Sequence, residues 1–352
     1  MNSNARKNLI YSIVLLLMVL VVYFFRSQKS NIQTTETPAE QSGLVGFNGE
    51  ILNEPYLVLY HPKIAGIETS VDSIFKVWNE KFSSDLPGSE IRDLNLKDTL
   101  LRPTKFQVDL LKSISKNHRE TNFAWDPSSG PIDLQWNFST SGARLRDSVN
   151  VAEILFLVGL QKIQFSDSLI RKTRSNIRLD LSDYGKALAL DEVSSFLQKR
   201  GVQNYFLQLG RYTTSKGVNE KGEVWKAKLT YPSDSLGIKK EGFLALQNRS
   251  MAISGDFTSF YSQDSLRKTF KIDPRTGYPV GHGLLSAIVL ADDSETAGVI
   301  SESLMVRGWK EGIALDSANQ EINLILVYNE KGSGLKMYVS PMLRKYLSFP
   351  VK

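Results

Sequence analysis

The distribution of apolar and polar positions divides the chain into an N-terminal apolar block, a polar bridge and a long mixed segment. Leu9 to Phe25 is a run of 17 residues, apolar apart from Ser12 and two tyrosines, at the lower limit for crossing a bilayer as a helix. Bulky, charged Phe24-Phe25-Arg26-Ser27 follows it in place of a small-residue cleavage site, which favours an uncleaved signal anchor. Arg6 and Lys7 favour an inside N-terminus, a bias that Arg26 and Lys29 weaken. Ser30 to Gly43, rich in Ser, Thr, Gln, Glu and Pro, is too polar to bury and reads as a flexible spacer. The expected divisions are an anchor over residues 1–29, a spacer over 30–45 and a globular part over 46–352.

Within the globular part, Tyr56 to Tyr60 is rich in strand formers, whereas Ile67, Val71, Ile74, Phe75, Trp78 and Phe82 recur at helical spacing on one face. The same periodicities predict helices near Lys105 to Asn117, Asp147 to Val158, Lys186 to Lys199, Ser294 to Val306 and Trp309 to Ala318. Strands are expected near Asn204 to Leu209, Trp225 to Tyr231, Phe243 to Leu246, Leu285 to Leu290 and Ile322 to Tyr328, with shorter ones between. Strands and helices interleave without a repeating βαβ period. The expected class is therefore α+β, one domain with an internal cleft, preceded by a transmembrane helix.

Composition narrows the chemistry. The chain has no cysteine, which excludes disulfides, thiolate metal sites and a cysteine nucleophile. His61, His118 and His282 lie far apart with no zinc-binding spacing, and are expected to be surface or core residues. The net charge of +6 is a property of the apolar block's flanks: Arg6, Lys7, Arg26 and Lys29 precede the first acidic residue, Glu36, leaving 39 basic against 37 acidic residues. A nearly neutral remainder carries no basic stripe and gives no reason to expect nucleic acid. No G-x-S-x-G, H-E-x-x-H, P-loop or G-x-G-x-x-G pattern occurs.

Candidate chemistry concentrates in a few segments. In Lys271-Ile272-Asp273-Pro274-Arg275-Thr276-Gly277-Tyr278-Pro279, two prolines and a glycine restrict the backbone around Asp273, Arg275 and Thr276, three side chains that could meet one anion. The alternative is a tight turn between two strands, closed by Asp273 and Thr276. Lys186 follows Gly185 at the start of a predicted helix, where free N–H groups and the positive dipole end favour phosphate; alternatively Asp180 to Asp183 cap that helix and Lys186 is a solvated charge.

Taken with Ser254-Gly255-Asp256, with Ala124-Trp125-Asp126-Pro127-Ser128-Ser129-Gly130-Pro131 and its following Leu134-Gln135-Trp136-Asn137-Phe138, and with Leu179-Asp180-Leu181-Ser182-Asp183-Tyr184-Gly185-Lys186, that loop resembles the ApbE family, the FAD:protein FMN transferases. The resemblance extends from about Ile51 to about Val327. It implies that Ala124, Trp125, Asp126, Asp180 and Lys186 contact FAD; the residues themselves add the expectation that Lys186 and the Ser254 to Asp256 turn, with Gly255, hold phosphates, and that Asp273, Arg275, Thr276 and Gly277 shape the cleft. It also implies a magnesium ion at the pyrophosphate. Asp256 and Asp273 are the candidate general bases.

Several positions depart from the family pattern. Gly298 stands where the family has a metal-ligating Asp and Glu302 where it has a Thr; Phe270 replaces a histidine, Asp85 an aromatic ring, Gly210-Arg211-Tyr212 the G-G-D segment, and Leu52 stands where the family has the Met of M-G-T. Two carboxylates appear where the family has none, Asp183 and Glu302. Together they are expected to hold a divalent cation, Mg²⁺, or else each is solvated or paired to Lys or Arg. Trp125 and Tyr212 are candidate stacking surfaces for the flavin.

The expected activity is transfer of FMN from FAD to a Ser or Thr hydroxyl of an acceptor protein with release of AMP, carried out at the cytoplasmic membrane by a globular part on the periplasmic side. The rival expectation is a catalytically degenerate module that binds FAD or a partner without transfer. A third is a structural envelope protein that binds no flavin.

Overall fold

Alternating burial along the strands builds one large sheet. In Glu54–His61 every second residue from Tyr56 onward is buried, so one face packs on helices while the other meets a second layer. In the computed structural model, which describes residues 43–84, 86–139, 142–146 and 150–350, eight strands form this sheet: β1 (Val45–Ile51), β2 (Glu54–His61), β3 (Asn204–Leu209), β4 (Tyr212–Lys216), β5 (Ser250–Gly255), β6 (Leu284–Ala291), β7 (Asn323–Asn329) and β8 (Leu335–Val339). Sheet order follows chain order, and each neighbouring pair is antiparallel. Helical and other segments are inserted between neighbouring strands, the longest over residues 62–203.

The predicted helices supply one covering layer. Helix α1 (Ile67–Phe82), α3 (Ser182–Lys199), α4 (Ser294–Arg307) and α5 (Trp309–Ala318) pack on one face of the sheet, through Val71, Phe75, Leu190, Val193 and Leu304 against Val58, Leu207 and Val289. Trp225, Leu229, Leu244 and Leu343 cover the other face over Ile288 and Leu290. Because both faces are covered, β6 is buried at every position and reads as a continuous apolar run rather than an alternation. The inserted residues 62–203 organise a second core around Phe82, Leu111, Ile114, Ile177 and Tyr184, with Leu111 and Ile114 supplied by α2 (Lys105–Glu120). Leu44–Lys352 is one compact unit.

The α+β expectation holds, and most boundaries fall close to those predicted. The helix expected from Lys186 begins four residues earlier, because the Asp180 carboxylate accepts the Ser182 N–H and hydroxyl and starts the turn there. The helix expected over Asp147 to Val158 is only Val151–Leu155 among the described residues, capped by Asn150. The expected anchor and nearly all of the spacer lie outside the described residues, as does Asp85. Among the described residues no helix is long and apolar enough to cross a membrane.

Gly185 sits inside α3, where an added Cβ would lie 2.4 Å from Cδ1 of buried Phe82. Replacing Gly185 with Ala gains about 0.8–1.0 kcal/mol of helix propensity but overpacks the core at a cost of about 1–3 kcal/mol. Gly185→Ala should therefore lower the denaturation midpoint, and adding Phe82→Leu should recover part of the loss; urea unfolding of the three variants measures both.

Candidate active site

Glu302 organises the site, and the local sequence explains its position. Asp293 caps α4 by accepting the Thr296 N–H, and Asp191 from α3 accepts the N–H groups of Ser294 and Glu295, which fixes the start of the helix. The helix lies over β5 and β6. On the sheet-facing side, Ser301 exchanges a hydrogen bond with Ser254 of β5 at 2.8 Å, and Ser254 donates to Glu302 Oε1 at 2.9 Å. Glu302 is thus held from below by a buried hydroxyl while its outer face meets two cations. Lys271 Nζ donates to Oε2 at 2.5 Å and Arg211 Nη1 to Oε1 at 3.1 Å.

The two cations arrive from separate turns. Arg211 occupies the two-residue turn of the β3–β4 hairpin, between the paired Leu209 and Tyr212. Lys271 precedes the short hairpin strand Ile272–Asp273, with its carbonyl accepting the Val280 N–H. Arg211 Nη1 also lies 3.7 Å from Asp183, and Lys186 pairs with Asp183 at 3.0 Å and Glu54 at 3.4 Å. An alternating row results: Glu54, Lys186, Asp183, Arg211, Glu302, Lys271. Burial alone would raise the Glu302 carboxyl, but Lys271 and Arg211 override it and hold the group below the usual glutamate range. Glu302 in turn raises the Lys271 ammonium. The Lys271 side chain is 41% exposed, so its charge looks onto pocket water and is not locked in a dry core.

Asp183, Arg211, Glu302 and Lys271 of this row form one side of a cleft of ≈ 250 Å³ whose other walls include Ala124, Trp125, Asp133, Asp180 and Tyr184. Trp125 and Tyr184 meet at 5.3 Å between ring centroids. A neighbouring hollow of ≈ 450 Å³, lined in part by Phe123, Leu155 and Val158, shares Asp126 and Pro274 with the first. The neighbouring hollow alone falls in the usual range of a small-molecule site, about 300–1,000 Å³, and the cleft just below it. Asp133 accepts no hydrogen bond from the described residues. Partial desolvation in the cleft, opposed by Lys271 and reinforced by Glu302 and Asp180, pushes its carboxyl up to about 6, although the residue keeps an exposed face.

The structure gathers some of the expected residues and redirects others. Ala124, Trp125, Asp126, Asp180, Asp183 and Glu302 line one cleft. Asp126 is spent largely on the protein, its carboxylate meeting His118 at 3.1 Å and accepting from Ser128, so it shapes the Ala124–Pro127 loop. Lys186 is buried behind Asp183 and sits in the second turn of α3, not at its N-terminus. Ser254 and Gly255 end a sheet strand and do not form a turn; buried Ser254 is committed to Ser301 and Glu302.

The Asp273 loop closes on itself, as the alternative reading expected. Its carboxylate accepts from the Arg275 N–H, Nε and Nη2, Thr276 accepts the Tyr278 N–H, and Gly277 donates to the Asp273 carbonyl. Arg275 faces the neighbouring hollow with Pro274, while Thr276 and Gly277 line neither. The base candidates are corrected too. Asp256 is exposed and lies 3.8 Å from Lys239; burial would raise it, but hydrogen bonds from Thr258 and the Lys239 charge hold it low, which makes it a weak base. Tyr212, a candidate stacking surface, is buried and packs on Gly298. Phe270 instead packs on Phe138 and Tyr261.

The residues do not fit the expected magnesium ion. Mg²⁺ requires oxygen donors at about 2.0–2.1 Å, yet both Glu302 oxygens already accept from Lys271, Arg211 and Ser254, and Arg211 bridges the two carboxylates that were to share the ion. A side chain at position 298 would begin 2.8 Å from the Tyr212 ring, so no carboxylate can return there without moving Tyr212. Among the described residues no group of three or more His, Cys, Asp or Glu is placed to hold a metal. The joint cation site of Asp183 and Glu302 is therefore replaced by an ion-pair row.

An antiparallel sheet with helices on one face is the fold this chain shares with solved flavin transferases. The chain belongs to the ApbE family, which matches residues 52–326. It is 28% identical to the FAD:protein FMN transferase of Vibrio cholerae serotype O1 over 326 residues, 89% of this chain and 95% of that protein. It is 26% identical to the FAD:protein FMN transferase of Haemophilus influenzae over 308 residues, 83% and 89% of the two chains. Among solved structures, the flavin transferase ApbE from Vibrio cholerae superposes with a TM-score of 0.71 at 25% identity, covering 86% of this chain and 99% of that one. The apo flavinyl transferase ApbE of Pseudomonas stutzeri shares the fold, with a TM-score of 0.73 at 21% identity and coverage of 88% and 98%.

Lys271, Arg211, Asp133 and Tyr184 were not singled out as site residues from sequence. The signal for Arg211 was its place in the altered G-G-D segment, and for Asp133 its position three residues after Gly130.

Asp133 has a testable signature. Its folded-state value near 6 lies above the unfolded value of about 3.9, so its contribution to stability is fully present below the unfolded value and is lost as pH rises through about 6. Asp133→Asn should raise the melting temperature at neutral pH and leave it unchanged in acid. The gain should be small, because the side chain is exposed to pocket water. Melting curves across pH measure it.

Proposed function

We propose that this protein transfers FMN from FAD to a Ser or Thr hydroxyl of a partner protein. The observation that carries the reading is the cleft itself: within a family match spanning most of the chain, its walls combine the Trp125 and Tyr184 rings, tilted 42° to each other, with the cations Lys271 and Arg211. A flavin dinucleotide offers complementary parts, planar rings joined by a diphosphate. In the reaction the hydroxyl oxygen bonds to the phosphorus on the flavin side, the anhydride P–O bond breaks, and its electron pair leaves with AMP.

Asp133 is the proposed acceptor of the hydroxyl proton. It is the cleft carboxyl with no hydrogen bond or ion pair from the described residues, and a value near 6 suits a base working close to neutrality. Lys271 and Arg211 stabilise the charge that builds on the diphosphate as the bond breaks. Ser254, Ser301 and Asp183 hold those cations in place through Glu302 and Arg211.

A second reading, a module that holds FAD without transfer, is favoured by one observation: Gly298 and the Tyr212 ring leave no place for a metal-binding carboxylate. The apolar run Leu9 to Phe25 supports a further proposal, an anchor in the cytoplasmic membrane with the globular part on its periplasmic side. Protease accessibility in spheroplasts tests that side, since a cytoplasmic globular part stays protected.

The full chain, mixed with FAD and an acceptor protein, should leave fluorescent flavin on the acceptor after a denaturing gel. Released flavin with none on the acceptor would support the binding module and sink transfer. The transfer rate should rise with pH through about 6 and level off, as Asp133 loses its proton. Asp133→Asn should slow transfer by about 10²–10⁴-fold, the usual weight of a general base, and remove that rise.

A further inference from the structure

The cleft has positive charge where a metal ion was expected. We propose that Arg211 and Lys271 receive the diphosphate directly, so that the dinucleotide binds without a divalent cation. This rests on the reading above that the ligand is FAD.

The geometry supports it in three ways. First, donors remain. A guanidinium carries five N–H groups and an ammonium three, whereas Arg211 uses Nη1 on its carboxylates and Lys271 one bond to Glu302. Second, both cations are held in place, since Glu302 is itself fixed by Ser254 and therefore presents Arg211 and Lys271 side by side. A guanidinium fork matches phosphate oxygens well. Third, the place of a metal-binding side chain at position 298 is closed by Tyr212.

The remaining charges lining the cleft are acidic, Asp126, Asp133, Asp180 and Asp183, of which Asp126 is turned to His118; behind Asp183 lie the cation Lys186 and Glu54. They repel a phosphate everywhere except between the two cations. The anion is therefore confined to one spot, and its affinity should weaken as salt screens the pair.

The test is titration of the full-length protein with FAD, followed by flavin fluorescence, in EDTA and in millimolar magnesium. Equal affinity in the two buffers, within about twofold, is expected. Lys271→Met and Arg211→Met should each weaken binding about tenfold or more, ~1.4 kcal/mol, and inorganic pyrophosphate should compete with FAD in EDTA. Removing Lys271 alone leaves Glu302 short of a partner, so the charge-balanced pair Lys271→Met with Glu302→Gln, checked by its melting curve, keeps the result interpretable if a single variant misfolds. Binding that disappears in EDTA, or variants that bind as the parent does, would overturn the proposal. Loss of binding in EDTA with transfer intact in magnesium sinks this inference and leaves the transferase reading standing. Metal-free binding with no transfer does the reverse, and no FAD binding in either buffer sinks both.

Discussion

The site depends on one carboxylate placed where two turns and a helix converge. Glu302 is surrounded by Lys271, Arg211 and Ser254, and a half-buried acid in such company stays ionised because the Coulomb attraction exceeds the loss of hydration. Remove that charge and the two neighbouring cations repel each other. The β3–β4 turn, the loop before Ile272 and α4 would then lose what draws them to one point. The helix cap at Asp293 and the carboxylate of Asp191 matter to the site for this reason: they set the axial position of Glu302.

Much of the architecture was legible in the sequence, because its core follows simple periodicity. The stripe from Ile67 to Phe82 and the continuous apolar run of β6 left little choice of element. Strands β4 and β5 were harder, for a physical reason. Tyr212-Thr213-Thr214-Ser215-Lys216 looks like a polar surface segment, yet Thr213, Thr214 and Ser215 are buried, and their cost is met by hydrogen bonds such as Thr214 to Ser250 and Ser294 and Ser215 to the Leu246 carbonyl. Hydroxyls that satisfy one another across a sheet leave no hydrophobic trace along the chain.

The site was legible in part. The segments around Trp125 and Asp180 do meet at one cleft, and the Asp180 N–H donates to the Pro127 carbonyl. The Asp273 to Gly277 loop was misleading as a ligand contact, since its polar groups answer each other; a rigid turn and a binding loop use the same residue types. Arg211 and Lys271 carry no site role in the sequence reading because an isolated basic residue in a sequence usually belongs to solvent. Only the three-dimensional meeting with Glu302 gives them a role. Asp183 and Glu302 stand out in the sequence as carboxylates, and their partners are guanidinium and ammonium groups, the alternative to a shared cation.

The order of strands has a consequence for how the protein assembles. Neighbours in the sheet are neighbours in sequence, so most pairings close over modest stretches of chain. The junction of β2 with β3 is the exception, since residues 62–203 intervene, and ordering so long a loop delays its contacts. That insertion also supplies the aromatic wall of the cleft. The ligand pocket is thus completed at the slowest seam of the sheet, and nascent chains released before the seam forms would present a half-made hollow to solvent.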